Sequence, residues 1–217
     1  MKSDITVVLD RSGSMSAMQE EVKGSFTKFI EDQRKVEGEA TLSIVQFDAP
    51  PGDDWFDWLV KGSDIHKKKV NGVMKQYQPR GCTALNDAAC MAIDATGERL
   101  EATPQQERPD KIVFVIVTDG HENSSREFTH EDVKKRVQRQ TDVYKWDFVY
   151  LSADVNAFDA GDRYGVSPDN VAEWHGTERG SRAMACALSD SVASVRRGSK
   201  ADMGWTPAER KSMDDAE

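Results

Sequence analysis

The stretch Ile5-Thr6-Val7-Val8-Leu9-Asp10-Arg11-Ser12-Gly13-Ser14 changes character once, from an apolar, β-branched run to a short polar turn. Such a run reads as a strand covered on both faces, the habit of parallel sheets packed between helices. Helical spacing then takes over: Met15, Met18, Val22, Phe26, Phe29 and Ile30 fall three or four apart, one apolar stripe ending near Gly38. Strand, polar turn and amphipathic helix form the opening unit of an α/β fold.

The alternation continues outward. Ala40 to Phe47 reads as a second strand, broken by Pro50-Pro51-Gly52, and Trp55 to Val60 as a third. The connection is short enough for a hairpin, so this pair is expected to be antiparallel. Ile65, Val70, Val73, Met74 and Tyr77 suggest a modest helix after Ser63, and Leu85, Ala88, Ala89, Ala92, Ile93 and Leu100 a longer one. Between Pro104 and Pro109 on one side and a polar turn on the other, Lys111 to Asp119 is the strand expected at the sheet centre. Helical pattern over Thr129 to Gln140 and Val155 to Tyr164, strands at Asp147 to Ser152 and Val171 to His175, and a final helix carrying Met184, Leu188, Val192 and Val195 complete the series. The segment from Gly198 is polar, and Thr206-Pro207-Ala208-Glu209 has the form of a capping box opening a short helix. No internal repeat is visible. The reading is an α/β fold with a mostly parallel sheet.

Composition excludes several classes. With 217 residues the chain suits one large domain, able to bury roughly 70% of its unfolded surface. Its longest apolar run, Ile112 to Val117, is far short of a membrane span, and no signal peptide is expected at Met1 to Asp10. Three cysteines, Cys82, Cys90 and Cys186, lack C-x-x-C spacing, which argues against zinc or a disulfide framework and for a reducing cytoplasm. A net charge of −9 disfavours nucleic acid and anionic membrane; the runs Lys67-Lys68-Lys69 and Lys134-Lys135-Arg136 read as solvated helix faces.

In open parallel sheets ligands bind beyond the carboxyl ends of the strands. Asp10 ends the first strand there, Ser12 and Ser14 alternate with it, and Gly13 allows a sharp turn. Thr83 lies in the loop before a helix, and Asp119 ends the central strand in Thr118-Asp119-Gly120. Asp10, Ser12, Ser14, Thr83 and Asp119 form an all-oxygen set suited to Mg²⁺ or Mn²⁺, with Ca²⁺ a third candidate, and unsuited to zinc. Two carboxylates balance a divalent charge and three hydroxyls donate weakly, which leaves such an ion able to accept an acidic group from outside.

At these residues the chain resembles the von Willebrand factor A domain with its metal-ion-dependent adhesion site. The resemblance rests on Asp10-Arg11-Ser12-Gly13-Ser14, Gly81-Cys82-Thr83-Ala84-Leu85 and Val117-Thr118-Asp119-Gly120, and runs from Ile5 to about Arg197. It implies a Rossmann-like, doubly wound, mostly parallel six-stranded sheet with helices on both faces and one antiparallel edge strand. It also implies Mg²⁺ held by Ser12, Ser14 and Thr83 directly or nearly so, and by Asp10 and Asp119 partly through water, with a partner's Asp or Glu completing the octahedron. The domain is placed at residues 1–197, with 198–217 as a polar tail. The setting resembles the stand-alone von Willebrand A proteins of bacteria and their phages, which implies a cytoplasmic home, host cytoplasm if phage-encoded. Cys82 departs from the second Gly of many relatives, where a side chain could narrow the loop.

Plainer readings stand beside these. Asp10 and Ser12 also suit a helix cap. Asp87 suits either a supporting contact to the site or an ordinary helix surface; His121, Glu122 and Asn123 suit either partner choice or a polar turn. The Trp55-Phe56-Asp57-Trp58 patch suits either partner binding or, as period-two aromatics more often do, the packing of a strand onto a core, and Cys90 fits the core. The expected role is an interaction module and not an enzyme. The alternative is a metal-dependent hydrolase or phosphatase assisted by His121 or Asp87, although phosphate-loop, nucleophile-elbow and H-E-x-x-H patterns are absent. A third reading is a scaffold whose site has lost its ion.

Overall fold

A computed structural model describes residues 1–49, 52, 54–154 and 156–214. Chain order is β1 (Lys2–Asp10), α1 (Gln19–Arg34), β2 (Glu39–Phe47), β3 (Phe56–Asp64), α2 (Leu85–Glu101), β4 (Lys111–Thr118), α3 (His130–Tyr144), β5 (Asp147–Ser152), α4 (Ala157–Arg163), β6 (Val171–Glu173), α5 (Glu178–Arg196) and α6 (Pro207–Asp214). The six strands form one sheet in the order β3-β2-β1-β4-β5-β6, parallel throughout except for β3, which runs antiparallel to β2 at one edge.

Pleating sorts the apolar residues to two cores. Ile5, Val7 and Leu9 of β1 and Val113, Val115 and Val117 of β4 face α1 and α5, where Phe26, Phe29, Leu188 and Val192 meet them. Val8, Phe114 and Ile116 face the opposite way, toward Ala88, Ile93, Val133 and Val137 of α2 and α3. Both faces of the central strands are therefore dry, which is why these stretches carry no polar alternation. Strand order turns between β1 and β4, the two strands that present Asp10 and Asp119.

Several boundaries moved. The stripe beginning at Met15 starts as a 3₁₀ turn, Gly13–Met18, before α1. The third strand covers Phe56–Asp64, so Ser63 belongs to it. The helix expected from Ser63 to Tyr77 is instead two 3₁₀ turns, Lys68–Val70 and Val73–Gln76. Gly72 between them takes φ +69°, a left-handed conformation that stops a helix; Ile65, Val70, Val73, Met74 and Tyr77 are buried all the same. The last strand stops at Glu173, and of the helix expected from Val155, that first residue lies outside the described residues. After α5, Met203, Trp205 and Met213 are buried in the same core as α1 and α5. Cys90 is buried in the second core, against which Trp55, Phe56 and Trp58 pack half-buried. Among the described residues no helix is long and apolar enough to cross a membrane.

Candidate metal centre

Three chain segments meet at the carboxyl edge of β1 and β4. Asp10, the last residue of β1, has no solvent exposure. Its Oδ1 accepts the Ser12 backbone N–H at 2.6 Å, its Oδ2 accepts the Thr118 hydroxyl at 2.6 Å, and its carbonyl accepts the Tyr77 hydroxyl at 2.7 Å. The turn that follows is zipped to the loop before α2: Gly13 N–H donates to the Gly81 carbonyl at 3.0 Å and Arg80 N–H to the Arg11 carbonyl at 2.7 Å. Gly81 is fixed by geometry, since φ is +69° and a Cβ would stand 3.1 Å from Asp48 Oδ2.

Side-chain oxygens converge above this frame. Ser12 Oγ lies 3.0 Å from Ser14 Oγ; Ser14 donates to Asp119 Oδ1 at 2.8 Å and Ser12 to the same oxygen at 3.5 Å. Burial pushes the Asp10 carboxyl up to about 6, against the opposing hydrogen bonds from Thr118 and Ser12. Burial likewise raises Asp119, with Ser14 and Ser12 holding it down. Thr83 is buried and tied to the segment after Asp119: its N–H donates to Asn123 Oδ1, and its carbonyl accepts the N–H groups of Asn123 and Ser124, each at 3.1 Å. The structure thus brings Ser12, Ser14 and Asp119 into direct hydrogen-bonding contact. Asp10 joins them through Ser12 N–H, whereas Thr83 is bonded to Asn123 and Ser124 and not to the cluster itself.

Two buried acids hold the loops in place. Asp48, just beyond β2, pairs with Arg11 at 3.1 Å and Arg80 at 2.7 Å, and its carbonyl accepts the Ala84 N–H at 3.0 Å. The second link is reciprocal. Helix α2 lacks a cap of its own, and its first N–H groups donate across to the β4–α3 loop: Asn86 to Glu122 Oε2 at 2.9 Å and Asp87 to Ser125 Oγ at 3.1 Å. Glu122 Oε1 also gathers the N–H groups of Ser124 and Ser125. In return Asp87, buried in α2, accepts Arg126 N–H at 2.8 Å on Oδ2, and Glu127 and Phe128 N–H at 3.1 and 2.8 Å on Oδ1. Asp87 is therefore no surface acid, and Thr83 and Asp119 sit on one connected unit. His121 contributes no hydrogen bond to this lattice among the described residues; its Nε2 lies 2.7 Å from Asp154 Oδ2.

The donor set fits a hard cation. Among the described residues no three His, Cys, Asp or Glu side chains are grouped to hold an ion, so a cation here relies on hydroxyls beside two carboxylates, the preference of Mg²⁺, Mn²⁺ or Ca²⁺. Both carboxylates are held uncomfortable by burial, which a positive ion would relieve. Cys82 is exposed and does not take a positive φ, so this position does not demand a glycine for its backbone conformation. Sequence reasoning assigned no role to Arg11, Asp48, Arg80 or Thr118. Asp48 follows a strand on the same carboxyl edge, a position that could have flagged it.

The family profile for the von Willebrand factor type A domain matches residues 4–158, which include all five oxygen donors. The chain belongs to this family. A curated relative, inter-alpha-trypsin inhibitor heavy chain H3 of Bos taurus, is 28% identical over 150 residues, covering 66% of this chain and 16% of its own length. Among solved structures, the pilus adhesin SpaC of Lactobacillus rhamnosus GG in its open conformation superposes with a TM-score of 0.65 at 14% identity, over 88% of this chain and 30% of that one. Proximal thread matrix protein 1 of the mussel byssus, with a zinc-occupied MIDAS motif, gives 0.58 at 17% identity, over 90% and 44%. These likenesses establish the fold; this von Willebrand A domain spans less than half the length of each of them.

Proposed function

We propose that this von Willebrand A domain is a Mg²⁺-dependent protein-binding module that takes an acidic side chain of a partner. The carrying observation is the convergence of Ser12, Ser14 and Asp119 on one point beside the buried Asp10. In this reading Ser12, Ser14, Thr83, Asp10 and Asp119 hold the cation, which supplies a Lewis-acidic position for an incoming carboxylate. The chain's own residues do the positioning: Thr118 and Ser12 N–H fix the Asp10 carboxylate, and Asn123 fixes Thr83. Adhesin and MIDAS-bearing structures of the same fold support that use. Free thiols at Cys82, Cys90 and Cys186 suit the cytoplasm in which we place it. The hydrolase reading gains nothing from Asp87, whose two oxygens are occupied by three backbone N–H groups.

The test is thermal unfolding of the whole chain with Mg²⁺, Mn²⁺ or Ca²⁺ against chelator, followed by metal-dependent capture from the native host's lysate. Expected is a metal-induced rise in Tm that Asp10→Ala with Asp119→Ala removes, and a captured protein that Ser12→Ala loses. An identical melting curve with and without metal would overturn the proposal. Metal-dependent turnover of phosphoesters or peptides, lost in the same variants, would favour the hydrolase.

A further inference from the structure

Beside Thr83 the surface opens into a polar groove of about 740 Å³ lined by Asp54, Arg80, Cys82, Asn123, Ser124 and Arg126. It starts at the candidate centre itself, since Cys82 precedes Thr83 and Asn123 accepts the Thr83 N–H. Its two cations differ. Arg80 is neutralised in place by Asp48 and Asp54, at 2.7 and 2.8 Å. Arg126 is exposed, and its guanidinium makes no ion pair with any described residue. Its backbone is nonetheless anchored, because Arg126 N–H donates to the buried Asp87 at 2.8 Å. The groove therefore presents a free fork of N–H donors from a fixed base, next to the position where a partner's carboxylate would bind.

A partner filling this groove strips water from the Arg126 guanidinium, which is costly unless an anion replaces that water. A planar guanidinium matches a carboxylate with two parallel hydrogen bonds. A net charge of −9 disfavours an extended polyanion such as nucleic acid, which leaves a peptide acid as the matching group. We propose that the groove receives the chain of the partner whose acidic side chain binds the ion, and that a second acidic residue of that partner pairs with Arg126. This rests on the metal-dependent reading above and adds a two-point specificity to it.

The test uses the whole ¹⁵N-labelled chain in Mg²⁺ and a set of capped peptides with two glutamates separated by one to four glycines. The controls carry glutamine in place of either glutamate. For at least one spacing the two-acid peptide is expected to bind roughly fivefold tighter than both controls, the worth of one ion pair at a partly desolvated rim. It is also expected to shift the amide signals of Ser124 and Arg126. Arg126→Ala, which keeps the backbone bond to Asp87, should erase that advantage and leave single-acid binding unchanged. No advantage at any spacing, or an advantage that survives in Arg126→Ala, overturns the groove proposal while single-acid binding sustains the metal reading. Peptides that bind equally in Mg²⁺ and in chelator, or not at all, overturn the metal reading and the groove with it.

Discussion

Asp87→Asn tests the idea that the candidate centre is held by a reciprocal link between α2 and the β4–α3 loop. The substitution keeps the shape of a buried side chain but replaces one of its two accepting oxygens by a donor. With the amide oxygen at the Oδ1 position, Glu127 and Phe128 N–H keep an acceptor and Arg126 N–H faces another donor; flipped, two N–H groups lose theirs. The charge that strengthens all three bonds is lost in either case. A buried group left without its partner costs about 1–3 kcal/mol, and hydrogen bonds to charged acceptors are worth about 1.5–3 kcal/mol, so a loss of roughly 2–3 kcal/mol is expected. Asp87→Ala, which strands all three N–H groups, should lose roughly 3–5 kcal/mol on the same basis. Urea unfolding measures this as a lower midpoint at unchanged slope. A domain of this size should melt about 4–12 °C lower for the Asn variant, at roughly 2–4 °C per kcal/mol. The control lies on the same helix: Asp94 pairs with Arg136 at 2.9 Å, but its side chain is 45% exposed, so Asp94→Asn should cost under about 1 kcal/mol. If the Asp87 and Asp94 variants unfold alike, the link is not what holds the loop.

Other consequences can be checked with the same tools. Asp10 is raised from 3.8 to about 6, so in chelator its contribution to stability is fully present below about 3.8 and is lost as pH rises through 6. Asp10→Asn should flatten that part of the pH profile, since the titrating group is gone; an unchanged profile refutes this. Arg99 binds the buried Asp4 through two 2.8 Å bonds, and Arg99→Ala, which strands that carboxylate, should cost roughly 3–5 kcal/mol in guanidinium unfolding. Pairing it with Asp4→Asn should restore part of the loss. A Cβ at Gly180 would stand 2.0 Å from the His175 carbonyl oxygen, whereas nothing lies within 4 Å of one at Gly24 in α1. Gly180→Ala should therefore lower Tm sharply, and Gly24→Ala should stabilise by about 0.5–1 kcal/mol through helix propensity. The reverse order would contradict the packing described.

The sequence alone determined the alternation of strands and helices, the antiparallel β3 and the carboxyl edge on which Asp10 and Asp119 stand. Those features are written in local periodicity: a strand dry on both faces must be apolar throughout, and a helix on the sheet must repeat its apolar residues every three or four positions. The segment from Ser63 to Tyr77 was less legible, because its buried residues fit helical spacing while Gly72 imposes a left-handed break that spacing does not register. Only the tertiary structure decided what supports the centre. Asp48 with Arg11 and Arg80, Asp87 with residues 126–128, and Glu122 with Asn86 are pairings between segments some 30 to 40 residues apart. An acid leaves no periodic trace of the backbone N–H groups it will meet; spacing leaves Asp87 open between a contact to the site and a solvated helix surface, and folding decides it by carrying the β4–α3 loop over it and removing the water.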